Sequence, residues 1–370
     1  MNEGKDMTDK YPLEEIYYYL TEGCNLVCRH CWLSPKHQTG SSTYPSLSVE
    51  VFKSILEQAK PLGLKGIKLT GGEPLMHPEI HEILQIVKDR DITLTIETNG
   101  VLCTPELALK ITSCKKTSVS VSLDGADAGT HEWVRGIKGS FEGALEGIRN
   151  LVKAGIKPQI IMTIMQYNKN QLEALVRLAE SLDAGSVKFN LVQPTGRGEK
   201  MNNVGETISV EELLKMGEYV VNTLSPSTKL KIYFDRPLAF RSMSGMFGDK
   251  RDGCASCGIL GIIGVLANGD YALCGIGAHV PELVFGNASK HRLYDVWENN
   301  EILLELREGI PSRFEGICGS CHMKRICSAS CIAQNYYRSK SLWGPYWFCD
   351  EAYKKGIFPL TRKSKPLLNS

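Results

Sequence analysis

The sequence predicts an α/β chain, a partial and open (β/α)6 TIM-like barrel followed by a small cysteine-rich domain. Three observations predict it. From residue 16 to about 235, short β-branched or apolar runs alternate with longer helical ones. Strand–helix repetition with near-continuous apolar strands means a parallel sheet covered by helices. Six such units fall short of the usual eight-unit barrel, which leaves the barrel open. The thirteen cysteines gather at the two ends of the chain around a cysteine-poor middle, where only Cys103 and Cys114 fall.

The expected strands are IYYYLT (16–21), GIKLT (66–70), ITLTIET (92–98), TSVSVSL (117–123), QIIMTIM (159–165) and VKFNLV (187–192). Helical patterns lie between them near 48–60, 79–90, 105–113, 141–154, 169–183 and 209–224. Ser48 and Ser209 suit the N-cap positions of the first and last helices, because a hydroxyl there accepts an otherwise unpaired backbone N–H. Pro78 and Pro105 suit the first turns of two others. In barrels of this kind the chemistry sits at the C-terminal ends of the strands. Those ends carry the unusual residues here: EGCNLVCRHC after the first strand, GGEP after the second, TNG after the third and DG after the fourth.

The 370 residues, 42% of them hydrophobic, suffice for one large domain with a buried core and a smaller second one. The expected divisions are an N-terminal tail (1–14), the barrel (15–240), a cysteine-stapled domain (241–355) and a basic tail (356–370). Lys+Arg 43 against Asp+Glu 41 is nearly balanced, which gives no electrostatic case for a nucleic-acid or membrane partner. The opening MNEGKDMTDK is polar, and no stretch approaches the roughly 18 uninterrupted apolar residues of a membrane span. The expectation is a soluble cytoplasmic protein, in which many cysteines mean metal or redox chemistry rather than disulfides.

Cys24-x3-Cys28-x2-Cys31 places three thiols within eight positions. Thiolates are soft ligands suited to iron–sulfur clusters or zinc. A closed structural zinc site needs four ligands; three cysteines on a cubane leave one iron open to a small molecule. The competing reading of the spacing alone is a zinc knuckle. With GGEP and SLDG on neighbouring strand ends, the pattern resembles the radical S-adenosylmethionine (radical SAM, AdoMet) enzymes. That resemblance implies a [4Fe–4S] cluster on Cys24, Cys28 and Cys31 whose free iron chelates AdoMet. It also implies reductive cleavage of AdoMet to a 5′-deoxyadenosyl radical. It assigns AdoMet contacts to Gly71, Gly72, Glu73 and Pro74, to Asn99, to Ser122 and Asp124, and to Arg135, whose guanidinium would pair with the AdoMet carboxylate. PTGRG (194–198) is expected near the adenine.

The second cysteine group, Cys318-x2-Cys321-x5-Cys327-x3-Cys331 with Cys349, Cys254-x2-Cys257 and Cys274, resembles the SPASM extension of these enzymes. The resemblance implies two auxiliary [4Fe–4S] clusters, one on Cys254, Cys257, Cys274 and Cys331 and one on Cys318, Cys321, Cys327 and Cys349. A pair of zinc ribbons is the rival. Three clusters would use eleven of the thirteen cysteines. Of the other two, Cys114 reads as a buried hydrophobe. Cys103 reads either as packing or, by analogy with peptide epimerases, as a hydrogen donor to a substrate radical.

Family membership would give the radical and not the substrate. Sulfatase-maturing relatives carry an aspartate base directly after the cysteine of the Gly-x4-Cys motif; here Cys274 is followed by Gly275. The resemblance therefore implies an anaerobic oxidoreductase that modifies a ribosomally made precursor peptide by crosslinking, epimerisation or backbone excision. The alternatives are an enzyme of a haem or other tetrapyrrole pathway and a non-catalytic metal-binding protein. Only 23 residues precede Cys24, so a separate leader-recognition protein or direct docking is expected. The implied electron donor is of the flavodoxin or ferredoxin type.

Overall fold

The computed structural model describes residues 11–38, 44–247 and 257–364. Seven strands run parallel in one sheet: β1 (Glu15–Tyr19), β2 (Gly66–Thr70), β3 (Thr93–Thr98), β4 (Thr117–Ser122), β5 (Gln159–Ile164), β6 (Ser186–Leu191) and β7 (Lys231–Phe234). The first six fall where the alternation places them, within a residue or two. The short, Lys-led KIYF strand was not anticipated. It pairs with β6 through Lys188↔Tyr233 and Phe189↔Phe234 and extends the sheet beyond the sixth unit.

The helices α1 (Val49–Ala59), α2 (Ile80–Asp89), α3 (Pro105–Thr112), α4 (Ala128–Arg135), α5 (Ser140–Lys153), α6 (Leu172–Ser181), α7 (Arg197–Asn203) and α8 (Val210–Tyr219) connect the strands. Ser48 caps α1 by accepting from the Val51 N–H. Ser209 and Glu212 form a reciprocal capping box on α8. Pro105 opens α3, whereas Pro78 lies in the turn ahead of α2. Neither α4 nor α7 was anticipated. Asp127 caps α4, and Gly136, in a left-handed conformation (φ 78°), ends it.

The expected boundary at 240–241 does not interrupt the sheet. Strand β8 (Ile262–Val265) lies parallel to β1, with Glu15↔Ile262 and Tyr18↔Val265 in register, and β9 (Asp270–Ala272) and β10 (Val284–Asn287) continue antiparallel from it. The order across the sheet is therefore β10-β9-β8-β1-β2-β3-β4-β5-β6-β7, open at both edges. One continuous apolar core runs from β1 and the inner faces of α1–α3, α5 and α6 to Trp297, Leu306 and Phe348. The consequence for function is positional. Strand β9 runs back along β8, so Cys274, two residues beyond it, packs against Gly264 beside the barrel strands.

Candidate active site

The three-cysteine loop is held by backbone on three sides. Gly23 and Cys24 form a two-residue ladder with Lys36 and His37. From β2, Gly72 N donates to Thr21 O (2.9 Å) and Glu73 N to Gly23 O (3.0 Å). From α4, the carbonyls of Arg135 and Val134 accept from Val27 N (3.1 Å) and Arg29 N (2.9 Å). From the first residue of α7, Arg197 N donates to Cys31 O (3.0 Å). Gly72 is required by this docking: a Cβ there would lie 1.9 Å from Gly23 O. The sequence reading gave the GGEP glycines to close ligand approach, but at Gly72 the partner that comes close is the cysteine loop itself.

Side chains lock the same strand ends together. Glu73 is buried, and its carboxylate accepts from Thr98 Oγ1 (2.6 Å), Asn99 N (2.8 Å) and Leu75 N (3.1 Å). Asn99 reaches back to the cysteine loop, donating from Nδ2 to Asn25 Oδ1 (2.7 Å). Burial pushes the Glu73 carboxyl upward, and its three donors oppose that. The carboxylate is thus occupied within the protein, and GGEP faces the cavity beside it with Gly71 and Gly72.

Asp124 has no exposed surface. Its Oδ1 accepts from Thr163 N (2.7 Å), and its Oδ2 forms an ion pair with Arg135 Nη2 at 2.7 Å. Burial alone would raise the Asp124 carboxyl, but the Arg135 guanidinium overrides it and holds the group below the usual carboxylate range. Arg135 Nη1 lies 3.4 Å from Cys28 Sγ. His131 Nδ1 accepts from Asp124 N (3.2 Å), and burial pushes this imidazole down to about 4, with Arg135 adding to the effect. It is neutral at neutral pH.

These groups surround a cavity of about 400 Å³, within the range of small-molecule sites. Cys24, Cys28 and Cys31 line one side; Cys257, Cys274 and Cys331 line another. Gly71, Gly72, Glu73, Asn99, Ser122 and Arg135 also line it. Pro74, Asp124 and Cys103 do not. Cys103 is 2% exposed within the main core, and burial pushes its thiol up to about 12. Cys114, likewise buried, points its thiol at Leu84 O (3.5 Å).

A model of the radical SAM superfamily matches residues 18–179. The chain is 31% identical to the AdoMet-dependent heme synthase of Methanosarcina barkeri over 338 residues, covering 87% of this chain and 91% of that one. It is 28% identical to the mycofactocin maturase MftC of Mycolicibacterium smegmatis, over 91% of this chain and 83% of the relative. Among solved structures, Streptococcus suis SuiB bound to its precursor peptide SuiA superposes with a TM-score of 0.70 at 19% identity, covering 92% of this chain and 76% of SuiB.

This chain belongs to the radical SAM superfamily. It is an enzyme, and the chemistry of its family uses a [4Fe–4S] cluster and AdoMet. The residues present fit that equipment. Burial pushes the Cys24 thiol strongly upward, with the charges of Glu73 and Cys28 adding to it; burial also raises Cys28 against the pull of Arg135. Without metal such thiols are protonated, and ligation to iron is what ionises them.

Cys318, Cys321, Cys327 and Cys349 line a separate small cavity of about 20 Å³ beside Met323 and Tyr346. Backbone N–H groups already point at two of these sulfurs, Met323 N at Cys321 (3.4 Å) and Tyr346 N at Cys318 (3.3 Å). Cys254 lies outside the described residues. Among the described residues no three His, Cys, Asp or Glu side chains converge on the position of a single metal ion. In a cubane each thiolate binds its own iron, so the four sulfurs do not meet at one point.

Position 275 in this radical SAM enzyme has no room for a side chain. A Cβ there would come within 2.4 Å of the Tyr19 ring and 2.6 Å of the Trp32 ring. The absence of an aspartate after Cys274 is therefore built into the packing. Sequence reasoning missed Lys188, Asn190, Asp235 and Tyr346 in the cavity wall, whereas Arg197 there belongs to the PTGRG run expected near the adenine. The signal is present for two of them: in VKFNLV the polar Lys188 and Asn190 share one face of β6, although the run as a whole reads as apolar.

Two outcomes test this geometry. In Glu73→Gln the new amide N–H₂ must face either the Asn99 N–H or the Thr98 and Leu75 donors. Chemical denaturation should show a loss of about 1–3 kcal/mol, with reduced iron retention. A histidine kept neutral by folding loses stability as pH falls below the unfolded value of about 6.5 towards its folded value. His131→Asn keeps an acceptor for Asp124 N, so its unfolding midpoint should fall less between pH 6.5 and 4 than that of the unsubstituted protein.

Proposed function

We propose that this chain reductively cleaves AdoMet at a cluster held by Cys24, Cys28 and Cys31 and abstracts hydrogen from a ribosomally made peptide. The observation that carries the reading is the shared cavity. The three loop thiols, the strand-end motifs and Cys257, Cys274 and Cys331 all face one space. In this reading residues 15–240 bear the radical chemistry and residues 241–355 form a SPASM domain. There Cys254, Cys257, Cys274 and Cys331 hold one auxiliary [4Fe–4S] cluster, and Cys318, Cys321, Cys327 and Cys349 hold another. When bound, the clusters and AdoMet supply the electron and the radical.

The protein's own residues do the rest. Gly72, Glu73 and Asn99 keep the cysteine loop in place. Ser122 offers a hydroxyl to the nucleotide. Polar side chains of β6, Lys188 and Asn190, face the substrate space. Tyr19, Trp32 and Tyr346 form aromatic walls that restrict water. Fully ligated auxiliary sets would leave no iron free for substrate, which assigns them electron transfer.

The likeness to a mycofactocin maturase and to SuiB, crystallised with a precursor peptide, supports the peptide as substrate. A small-molecule reading has its own support in the 31% identity to an AdoMet-dependent heme synthase. The peptide reading implies a precursor and a separate leader-recognition protein. Both readings imply a flavodoxin- or ferredoxin-type donor, a cytoplasmic setting and anaerobic work. Among the described residues no helix is long and apolar enough to cross a membrane.

Anaerobically reconstituted protein given dithionite and AdoMet should release 5′-deoxyadenosine, and replacing Cys24, Cys28 and Cys31 together by Ala should abolish it. Turnover in that variant would contradict the cluster assignment. Co-incubation with a genetically neighbouring precursor peptide should change the mass of the peptide. If an iron porphyrin bearing carboxylate arms is consumed while the peptide is untouched, the haem reading replaces the peptide one.

A further inference from the structure

Strand β6 presents Lys188 and Asn190 to the main cavity from one face. Another lysine of the cavity wall shows what such a charge ordinarily finds there. Lys68 on β2 donates to Glu97 Oε1 (2.9 Å) and stands over the Tyr17 ring at 4.3 Å. Lys188 is half-buried, yet its ammonium meets no hydrogen-bond acceptor and forms no ion pair among the described residues. The Asn190 amide, two positions along, is equally unengaged among them. A charge drawn out of bulk water is normally paired, and donors inside a fold are normally satisfied.

Position and charge narrow what the two donors can meet. Ser122, Ile161 and Lys188 are register partners on β4, β5 and β6. Lys188 therefore stands two strands, about 10 Å across the sheet, from the residue whose hydroxyl is offered to the nucleotide. One ammonium and one amide N–H₂ suit a monoanion with two oxygens. A phosphate dianion would keep uncompensated charge beside Asp235, which follows β7 and lines the same cavity. Burial pushes the Asp235 carboxyl upward against the pull of Lys188 and Arg241, which lessens the negative charge it sets against an incoming anion.

We infer that Lys188, with Asn190, binds a carboxylate of the substrate, whether that carboxylate belongs to a peptide or to an arm of a porphyrin. This rests on the AdoMet-cleaving reading above and adds to it the charge of the group seated beside the nucleotide.

Equilibrium dialysis of the anaerobically reconstituted enzyme with AdoMet tests it. The probes are iron coproporphyrin and its tetramethyl ester, and the genetically neighbouring precursor peptide with its carboxylates free or amidated. One free acid should bind, which names the source, and its neutral form should bind more weakly. Lys188→Gln should weaken binding of that acid about ten- to a hundredfold, the range for a lost charged hydrogen bond, and change binding of the neutral form by no more than about twofold. Lys188→Arg keeps the charge and should fall between for the acid. The Lys188 side chain makes no internal bond to lose, so iron content should hold in both variants. Unchanged acid binding in Lys188→Gln would overturn the assignment, as would equal losses for the acid and its neutral form, or binding of neither acid. An unsubstituted enzyme that releases no 5′-deoxyadenosine from AdoMet would instead overturn the parent reading, and this one with it.

Discussion

The carbonyl oxygen of Gly23 occupies the space that a side chain at position 72 would need, and the site depends on that contact. It lets Gly72 and Glu73 donate backbone N–H groups into the cysteine loop. It also places the Glu73 carboxylate under the end of β3, where Thr98 and Asn99 reach it, and Asn99 closes the ring by binding Asn25. Each bond is worth about 1 kcal/mol net, but a buried partner left alone costs about 1–3 kcal/mol. A ring of this kind therefore holds or fails as a unit. The three strand ends are fixed relative to one another by protein alone, before any ligand arrives.

The second constraint is the sheet. Because β8 pairs with β1 in parallel and β9 turns back antiparallel to it, Cys274 is carried alongside the body of β8, next to the barrel strands. A Cβ at Gly264 in β8 would lie 2.8 Å from Cys274 Cα, so that cysteine is set by close backbone packing and not by a flexible loop. Gly275 then slides beneath Tyr19 and Trp32, whose rings meet edge-on at 6.3 Å. Tyr346 joins this wall to the second thiol group: it lines both cavities, and its N–H points at Cys318 Sγ. The cavity and the more distant cysteines are thus linked through one aromatic residue.

Much of this was legible in the sequence because it is local. Caps at Ser48 and Ser209, the six long strands and the motifs at their C-terminal ends follow from periodicity and turn chemistry. What was hidden depends on direction and on distant neighbours. Asp124 looks like a ligand-facing carboxylate in SLDG, yet its charge is turned inward to Arg135, which α4 presents from eleven positions later. The KIYF strand is too short and too charged to stand out. Strands β8 to β10 were obscured because cysteine density suggested a separate unit, whereas the backbone continues the sheet.

The two cysteine regions differ in how much of their geometry the chain supports unaided. The loop after β1 is bonded on three sides. In the C-terminal region, Cys327 and Cys331 are four positions apart but face different cavities, and the chain separates them by an unusual route. Ser328, Ala329 and Ser330 all take left-handed conformations, with φ of 46°, 53° and 61°. Such conformations cost L-residues with a side chain roughly 1–2 kcal/mol each, and runs of them are rare. Burial of Ala329 and one bond from Asn335 Nδ2 to its carbonyl (3.0 Å) offset part of this. On the proposed ligation, iron–sulfur bonds at Cys327 and Cys331 would hold both ends of the strained turn, and metal would contribute to folding here as it does in other small metal-bound domains. The barrel loop, complete in its own hydrogen bonds, would instead be a preformed receptor into which a cluster is placed.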